Sequence, residues 1–347
     1  MRRVEVVAPN FKRRLSGVTS TIVQLIPLQA RATGVAALGP GLPEDLPKMR
    51  WWQVPALLTK PAERPFRIWH ARRNTEMLAG IIAKHVFRAP LRLVFTSAAQ
   101  RDHRAYTKWL IRRMDAVVAT SARSGSFLKV PHKVVMHGID VERFHPPRGI
   151  GDDWAATGLP GRYGIGCFGR IRHQKGTDLF IAAMVELLPR YPDWTALVFG
   201  RVTTEHGAFA DALRDRVREA GLGDRIRFMG EVPDVAPWYR CVTLCVAPSR
   251  NEGFGLTPLE AMATGTATVA SDAGAYAEMI VPGETGAVVP AGEGRALTGA
   301  IEAYMADPAM AKQQGEAARA HVTARFALAR EADALAEVYE GLWKGEA

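Results

Sequence analysis

Residues 248–260 read PSRNEGFGLTPLE, a short turn set between an apolar run and a helical pattern. Two carboxylates, Glu252 and Glu260, stand there with seven residues between them. Gly253-Phe254-Gly255-Leu256 opens directly into a helix expected to begin near Thr257. Glycines in such a turn let a ligand approach the backbone closely. Unpaired amides at a helix start carry partial positive charge and suit a phosphate. Glu260 lies about one turn inside that helix, on the face that points back toward the same ligand. One carboxylate before the turn and one inside the helix can hold hydroxyls at both ends of a phosphorylated sugar. The segment therefore predicts a sugar-nucleotide site carried on a strand–turn–helix unit.

Apolar strand patterns alternate with amphipathic helices along the rest of the chain, which predicts an α/β fold with parallel sheets. In the first half the strand candidates are residues 4–8, 67–70, 91–95, 116–120 and 133–136. Helices are expected over 20–30, 77–87 and 106–113, the first containing Pro27, which predicts a kink. Residues 10–19 read as a polar loop, and residues 39–65, with six prolines and two glycines, as a longer one. His145-Pro146-Pro147 marks an interdomain linker, since paired prolines stop regular structure. The alternation resumes at Tyr163, and three helical patterns close the chain. These breaks predict domains over 1–147 and 148–325, with a final helix over 326–347.

A chain of 347 residues, 48% hydrophobic and 23% charged, has the size and balance of two soluble globular domains. No apolar run approaches the roughly 20 residues of a membrane span. MRRVEVVAPN enters a strand pattern at once, without a leader-like apolar core. Cys167, Cys241 and Cys245 have no metal-ligand spacing, and Cys167 and Cys245 fall in apolar strand runs, which predicts inert thiols in a reducing cytoplasm. Charge is uneven. Residues 1–150 hold 26 Lys and Arg against 9 Asp and Glu, and residues 151–347 hold 19 against 26. The basic half, with Lys12, Arg13, Arg14, Arg72, Arg73, Arg112 and Arg113, predicts an anionic partner: a membrane surface or a phosphorylated acceptor. A merely solubilising surface is the alternative. Nucleic acid is not expected, because no helix-turn-helix, zinc or aromatic-platform motif accompanies the charge.

The E-x7-E segment resembles that of retaining glycosyltransferase family 4, whose members carry two Rossmann-like domains facing a central cleft, the GT-B fold. Three further segments are similar in order: GCFGRIRHQKG at 166–176, TGTATVASDAGAYAE at 264–278 and GETGAVVP at 283–290. The resemblance implies an acceptor-side first domain, a donor-binding second domain and a last helix that crosses back to the first. Residues 39–65 would then loop over the acceptor side. In the first half, NFKRRLSGVTSTIVQLIPLQ, IWHARRN, FTSAAQR and IRRMDAVVATS resemble lipopolysaccharide core mannosyltransferases of Gram-negative bacteria. That implies GDP-mannose as donor and a lipid-linked core sugar as acceptor, at the inner face of the cytoplasmic membrane. The residues do not specify the base, so UDP-glucose and UDP-galactose stay open.

Glycosyl transfer leaves negative charge on a departing diphosphate, and preorganised cations stabilise it. Arg170 and Lys175 follow a predicted strand, where Rossmann-like domains bind phosphates, and the resemblance puts both on the donor diphosphate. Asp-x-Asp, the usual metal-holding pair, occurs nowhere, so neither metal nor cofactor is expected. The resemblance further implies that Glu252 meets the donor sugar's hydroxyls, that the 253–256 amides and Thr257 line the sugar and phosphate, and that Glu260 holds the ribose. Gly230, Glu231 and Val232 would edge the base, and Gly17 in Ser16-Gly17-Val18-Thr19 would cover the diphosphate. Retention by same-face attack follows from the family. Relatives present a first-domain histidine beside the reacting carbon, but here Thr96 and Ser97 stand at the expected place. His103, assigned a catalytic role, and His70 and His137, assigned to substrate binding, are the substitutes. Two other readings stay open: a nucleotide-sugar-binding protein without activity, and a nicotinamide-dependent oxidoreductase. Against the second, Gly164, Gly166 and Gly169 have the G-x-G-x-x-G spacing but fall mostly inside a predicted strand.

Overall fold

The computed structural model describes residues 3–12 and 17–346. The chain divides into two compact units, Met1–Gly138 with Leu328–Ala347, and Ile139–Ala327. In the first lie β1 (Val6–Pro9), α1 (Gly17–Ala32), β2 (Val35–Leu38), β3 (Lys48–Met49), β4 (Arg67–Ala71), α2 (Asn74–His85), β5 (Leu91–Ser97), α3 (Ala105–Ile111), β6 (Ala116–Ala119), α4 (Ala122–Ser126) and β7 (Lys133–Val134). The second holds β8 (Tyr163–Phe168), α5 (Thr177–Leu187), β9 (Trp194–Phe199), α6 (Gly207–Glu219), β10 (Ile226–Gly230), α7 (Ala236–Cys241), β11 (Leu244–Ala247), α8 (Thr257–Ala263), β12 (Ala267–Ser271), α9 (Tyr276–Met279), β13 (Gly286–Val289), α10 (Gly294–Ala306) and α11 (Pro308–Arg325). α12 (Leu328–Lys344) returns to the first unit.

Each unit is built on one parallel sheet, in the order β3-β2-β1-β4-β5-β6-β7 and β10-β9-β8-β11-β12-β13. Helices cover both faces of such sheets, so the strands read as continuous apolar runs rather than alternating ones. β9, WTALVF, is buried along its whole length. In the first unit one face packs against α1 and α12 through Ile22, Leu25, Leu335 and Tyr339. The other packs against α2, α3 and a 3-10 helix at Trp51–Leu58 through Met77, Ile81, Leu110 and Leu57. α12 joins its sheet because Leu328, Ala332, Leu335, Tyr339 and Leu342 form one helical stripe. Full burial of each leucine contributes about 1.5–3 kcal/mol. Glu331, on the same stripe, is buried and bonded: it accepts from Gly138 N at 2.8 Å and pairs with His137 Nδ1 at 2.7 Å.

Several expected boundaries move. The first helix starts at Gly17 rather than residue 20 and continues through Pro27. The 39–65 loop contains β3 and the 3-10 helix. β2, only four residues, is an apolar run too short to distinguish from the end of α1 by pattern. The units divide at Gly138–Ile139, ahead of His145-Pro146-Pro147. The 139–144 segment belongs to the second unit because Ile139 and Phe144 are buried there and Arg319 Nη1 holds the carbonyls of Val141 (3.2 Å) and Phe144 (2.9 Å). Gly164 and Gly166 lie within β8, and a Cβ on either would fall 2.2 and 2.4 Å from the rings of Trp154 and Phe168. Ring packing, not a dinucleotide turn, accounts for that glycine spacing.

His70, at the end of β4, is 1% exposed. Its Nδ1 lies 2.6 Å from the Tyr339 hydroxyl and its Nε2 2.7 Å from Thr96 Oγ1. Burial, and then the charge of Arg72, push its pKa well below the ordinary value. The folded chain thus keeps His70 neutral while the unfolded chain protonates it below about pH 6.5. Its contribution to stability is complete above that pH and is lost as pH falls toward the lowered folded value. Urea unfolding between pH 7.5 and 5 is expected to show wild-type stability falling more steeply than that of His70→Gln, by up to about 1.4 kcal/mol per pH unit. Parallel slopes would contradict a neutral His70.

Candidate active site

The second sheet's order makes β8 the strand at which the crossovers reverse, and the crevice at such a switch point is where open α/β sheets bind ligands. The strand ends there are laced together. Gly169 N donates to Phe199 O at 3.1 Å, and Gly200 N to Gly230 O at 2.7 Å. They enclose a cavity of about 290 Å3 lined by Arg170, Arg201, Gly230, Glu231, Val232, Thr257 and Glu260. Its floor is aromatic: Phe168 stacks on Tyr239 at 4.0 Å and on Phe199 at 4.8 Å.

Glu260 is fixed from beneath. The Tyr239 hydroxyl donates to its Oε2 at 2.7 Å. Burial pushes the Glu260 carboxyl above its ordinary range, against the opposing pull of that hydroxyl and of Arg143 and Lys175. Tyr239 is itself raised well above its usual value, by burial and by Glu260. A carboxylate with one oxygen occupied and the other side toward a cavity is suited to accept from ligand hydroxyls.

Beside the cavity, Lys175 Nζ makes an ion pair with Glu252 Oε2, both side chains less than a fifth exposed. The other carboxylate oxygen accepts from Gly253 N at 3.3 Å. The loop ahead of Glu252 is pinned by a bidentate Arg250–Asp178 pair, both bonds 2.7 Å, and by Arg250 N donating to Gln174 O. Gly255 has φ +82°, and a Cβ there would meet Tyr276 Cε1 at 2.4 Å and Glu252 Cγ at 2.7 Å. Leu256 precedes α8, and Phe254 is buried, which leaves its backbone rather than its ring to face a ligand. α8 is only seven residues long, so its dipole adds little, and the side-chain cations carry the positive potential. Arg170 is exposed and makes no ion pair among the described residues. The structure thus brings together Arg170, Gly230, Glu231, Val232, Thr257 and Glu260 at the cavity, with Lys175, Glu252, Gly253 and Gly255 alongside.

In the first unit the candidates are dispersed. His70 is a core residue with both ring nitrogens engaged, not an open binding group. His137 is held by Glu331. His103 is half-buried, 3.3 Å by Nε2 from Ser97 Oγ at the C-terminal end of β5, with its pKa lowered by burial and by Lys108 and Arg101. Gly17 is the first residue of α1, whereas Ser16, Arg13 and Arg14 lie outside the described residues.

Sequence reasoning missed Tyr239, Phe199, Gly200 and Arg201. Tyr239 sits in α7, distant from the motif in sequence, and no local pattern marks it. Gly200 and Arg201 had a signal: Phe-Gly-Arg ends β8 at 168–170 and recurs after β9 at 199–201. Arg172 was also passed over. Its Nε is buried without a hydrogen-bond partner among the described residues, and its pKa is lowered by burial and by Arg170.

Residues 162–307, which span this site, match the family of glycosyl transferases group 1. The lipopolysaccharide core biosynthesis mannosyltransferase LpcC of Rhizobium leguminosarum bv. viciae is 67% identical, over 99% of this chain and 97% of its own. LpsB of Rhizobium meliloti (strain 1021), described in the same words, is 52% identical over 99% of both chains. In fold, the crystal structure of Anabaena HepE in complex with UDP and glucose is similar with a TM-score of 0.81 at 18% identity, over 97% of this chain and all of that one. The chain belongs to the group 1 glycosyltransferases of GT-B fold, in the family that includes the lipopolysaccharide core mannosyltransferases LpcC and LpsB.

Gly255→Ala forces a side chain into left-handed backbone against Tyr276 and Glu252. It is expected to cost about 1–3 kcal/mol of stability in denaturant unfolding and to displace the Lys175–Glu252 pair. Unchanged stability would contradict the packed turn.

Proposed function

We propose that the protein transfers mannose from GDP-mannose to a lipid-linked lipopolysaccharide core sugar, with retention and without metal. The observation that carries this reading is the end-to-end likeness to LpcC, together with the cluster of cations at the switch point of the second sheet. The sugar C1–O bond to the diphosphate breaks, a bond from C1 to the acceptor oxygen forms on the same face, and a leaving-phosphate oxygen takes the acceptor's proton. Arg170 and Lys175 neutralise the charge that builds on the phosphate. Lys175 gives one of its three donors to Glu252 and has two more to offer. Glu252 binds the sugar hydroxyls, Glu260 the ribose, and Gly230–Val232 with Phe199 the base. His103, at the C-terminal edge of the first sheet, is assigned to the acceptor side. Among the described residues no helix is long and apolar enough to cross a membrane. The basic first half, 26 Lys and Arg against 9 Asp and Glu, would hold the enzyme to the anionic inner face of the cytoplasmic membrane.

Arg170→Ala and Lys175→Ala are each expected to lower kcat/KM by roughly 100-fold or more, the usual cost of deleting a preorganised charge stabiliser. Glu252→Gln is expected to abolish transfer with the fold intact, and wild-type transfer to persist in EDTA. Near-normal turnover in all three variants would sink the site assignment, and loss in chelator restored by magnesium or manganese would sink the metal-free mechanism.

Donor identity is decided by thermal shift with GDP, UDP and ADP. GDP is expected to stabilise most. Stronger stabilisation by UDP would move the donor to a UDP-sugar and leave the enzyme class unchanged.

A further inference from the structure

Large apolar side chains exposed to solvent are concentrated in one layer of the first unit. Trp51 (59%), Trp52 (71%) and Leu58 belong to the 3-10 helix, Ile82 to α2, Val86 and Phe87 to the turn just after it, and Tyr106 and Trp109 to α3. These three elements turn their inner sides into the same core, through Leu57, Met77, Ile81, Leu110 and Ile111. Their outer sides therefore share the face of the sheet opposite α1 and α12. Single exposed leucines are ordinary on a protein surface, but clustered exposed tryptophans mark an interaction surface.

The same stretch is strongly cationic. Residues 48–113 contain 15 Lys and Arg against 3 Asp and Glu. Arg67 is buried, Arg64 pairs with Glu5 and Glu340, Arg73 with Glu76, and Lys84 and Arg92 with Asp115. Arg50, Lys60, Arg88, Arg104, Arg112 and Arg113 are exposed. Rings and cations interleave: Tyr106 stacks on Trp109 at 6.3 Å, and the Arg113 guanidinium lies 3.8 Å over the Trp109 ring. At the end of α2, exposed Val86 and Phe87 are followed by Arg88 with φ 54°, a left-handed position where helices ordinarily end in glycine.

We propose that this layer, led by Trp51, Trp52, Tyr106 and Trp109, is the face by which the protein docks on an anionic lipid bilayer, with the rings entering the headgroup region. The inference rests on the membrane-surface reading above and replaces a diffuse basic attraction with a defined face. Trp and Tyr have an apolar body and a polar edge, which fits them to that boundary. Lys and Arg around them pair with lipid phosphates, and the attraction is screened by salt whereas ring insertion is not. A second copy of the chain is a poorer occupant, since pairing the face with itself opposes like charge.

The test uses the full chain with phosphatidylcholine vesicles, with and without phosphatidylglycerol, by co-sedimentation. Trp51→Ser/Trp52→Ser and Tyr106→Ser/Trp109→Ser are each expected to weaken binding to the anionic vesicles by about tenfold or more. Their melting temperature and their stabilisation by GDP should stay as in wild type. Independently of any variant, lipids brominated on the acyl chain should quench wild-type tryptophan fluorescence, and the quenching should fall in the Trp51/Trp52 variant. Wild-type binding retained by both variants without quenching would overturn this face and leave membrane docking to other basic surface. Absence of wild-type binding to anionic vesicles would overturn the membrane reading and this face together. A dimer broken by the substitutions, with vesicle binding unchanged, would make the layer a contact between copies and refute the proposal.

Discussion

Parallel pairing of β8 with β9 and β11 is the constraint on which the candidate site depends. Parallel neighbours need a crossover, so the loops that leave their C-terminal ends collect along one edge of the sheet. Gly169-Arg170, Gly200-Arg201, Gly230 and the 248–256 turn are these loops. The crossovers on the two sides of β8 run in opposite directions, which opens the crevice that the cavity fills. The chemistry is therefore set by which side chains stand at four strand ends, and the helices serve to hold those ends in place.

Within that frame the ion pairs act on loop shape more than on global stability. Lys175–Glu252 and Arg250–Asp178 are partly shielded from water, so their desolvation offsets much of their Coulomb attraction. What they secure is position. Arg250 ties the approach to Glu252 onto the loop after β8, and Lys175 ties Glu252 itself. The aromatic floor does the same for Glu260, whose bond to Tyr239 sets the direction of the carboxylate. Groups that must meet a developing charge within a fraction of an ångström need such second supports.

Much of this was legible in the sequence because it is local. Glu252, the glycine turn and Glu260 fall within thirteen residues, and Arg170 and Lys175 follow one strand. Local spacing and family resemblance together therefore pointed to residues that the fold gathers at or beside one cavity. Tyr239 was not legible, since only the packing of α7 beneath Glu260 brings its hydroxyl there. His70 was misread for a related reason: a histidine ending a strand looks open until Tyr339, 269 positions away, is folded over it. The boundary at Gly138 rather than His145 follows from Arg319 and the buried Phe144, again contacts distant in sequence. Proline pairs mark where regular structure stops, and a domain ends where its contacts do.

The cations at the cavity stand in the half of the chain with excess acid, 26 carboxylates against 19 cations over 151–347. Net charge does not decide the potential at a site, because screening removes contributions from beyond about 8 Å at physiological salt. Local placement decides it. Arg170, Arg172, Lys175 and Arg201 converge on the ends of two adjacent strands, close enough that Arg170 lowers the proton affinity of Arg172. Among the described residues the carboxylate paired at this point is Glu252, on Lys175. Crowded cations, with the buried Arg172 Nε lacking a hydrogen-bond partner among the described residues, make this point favourable for an anion.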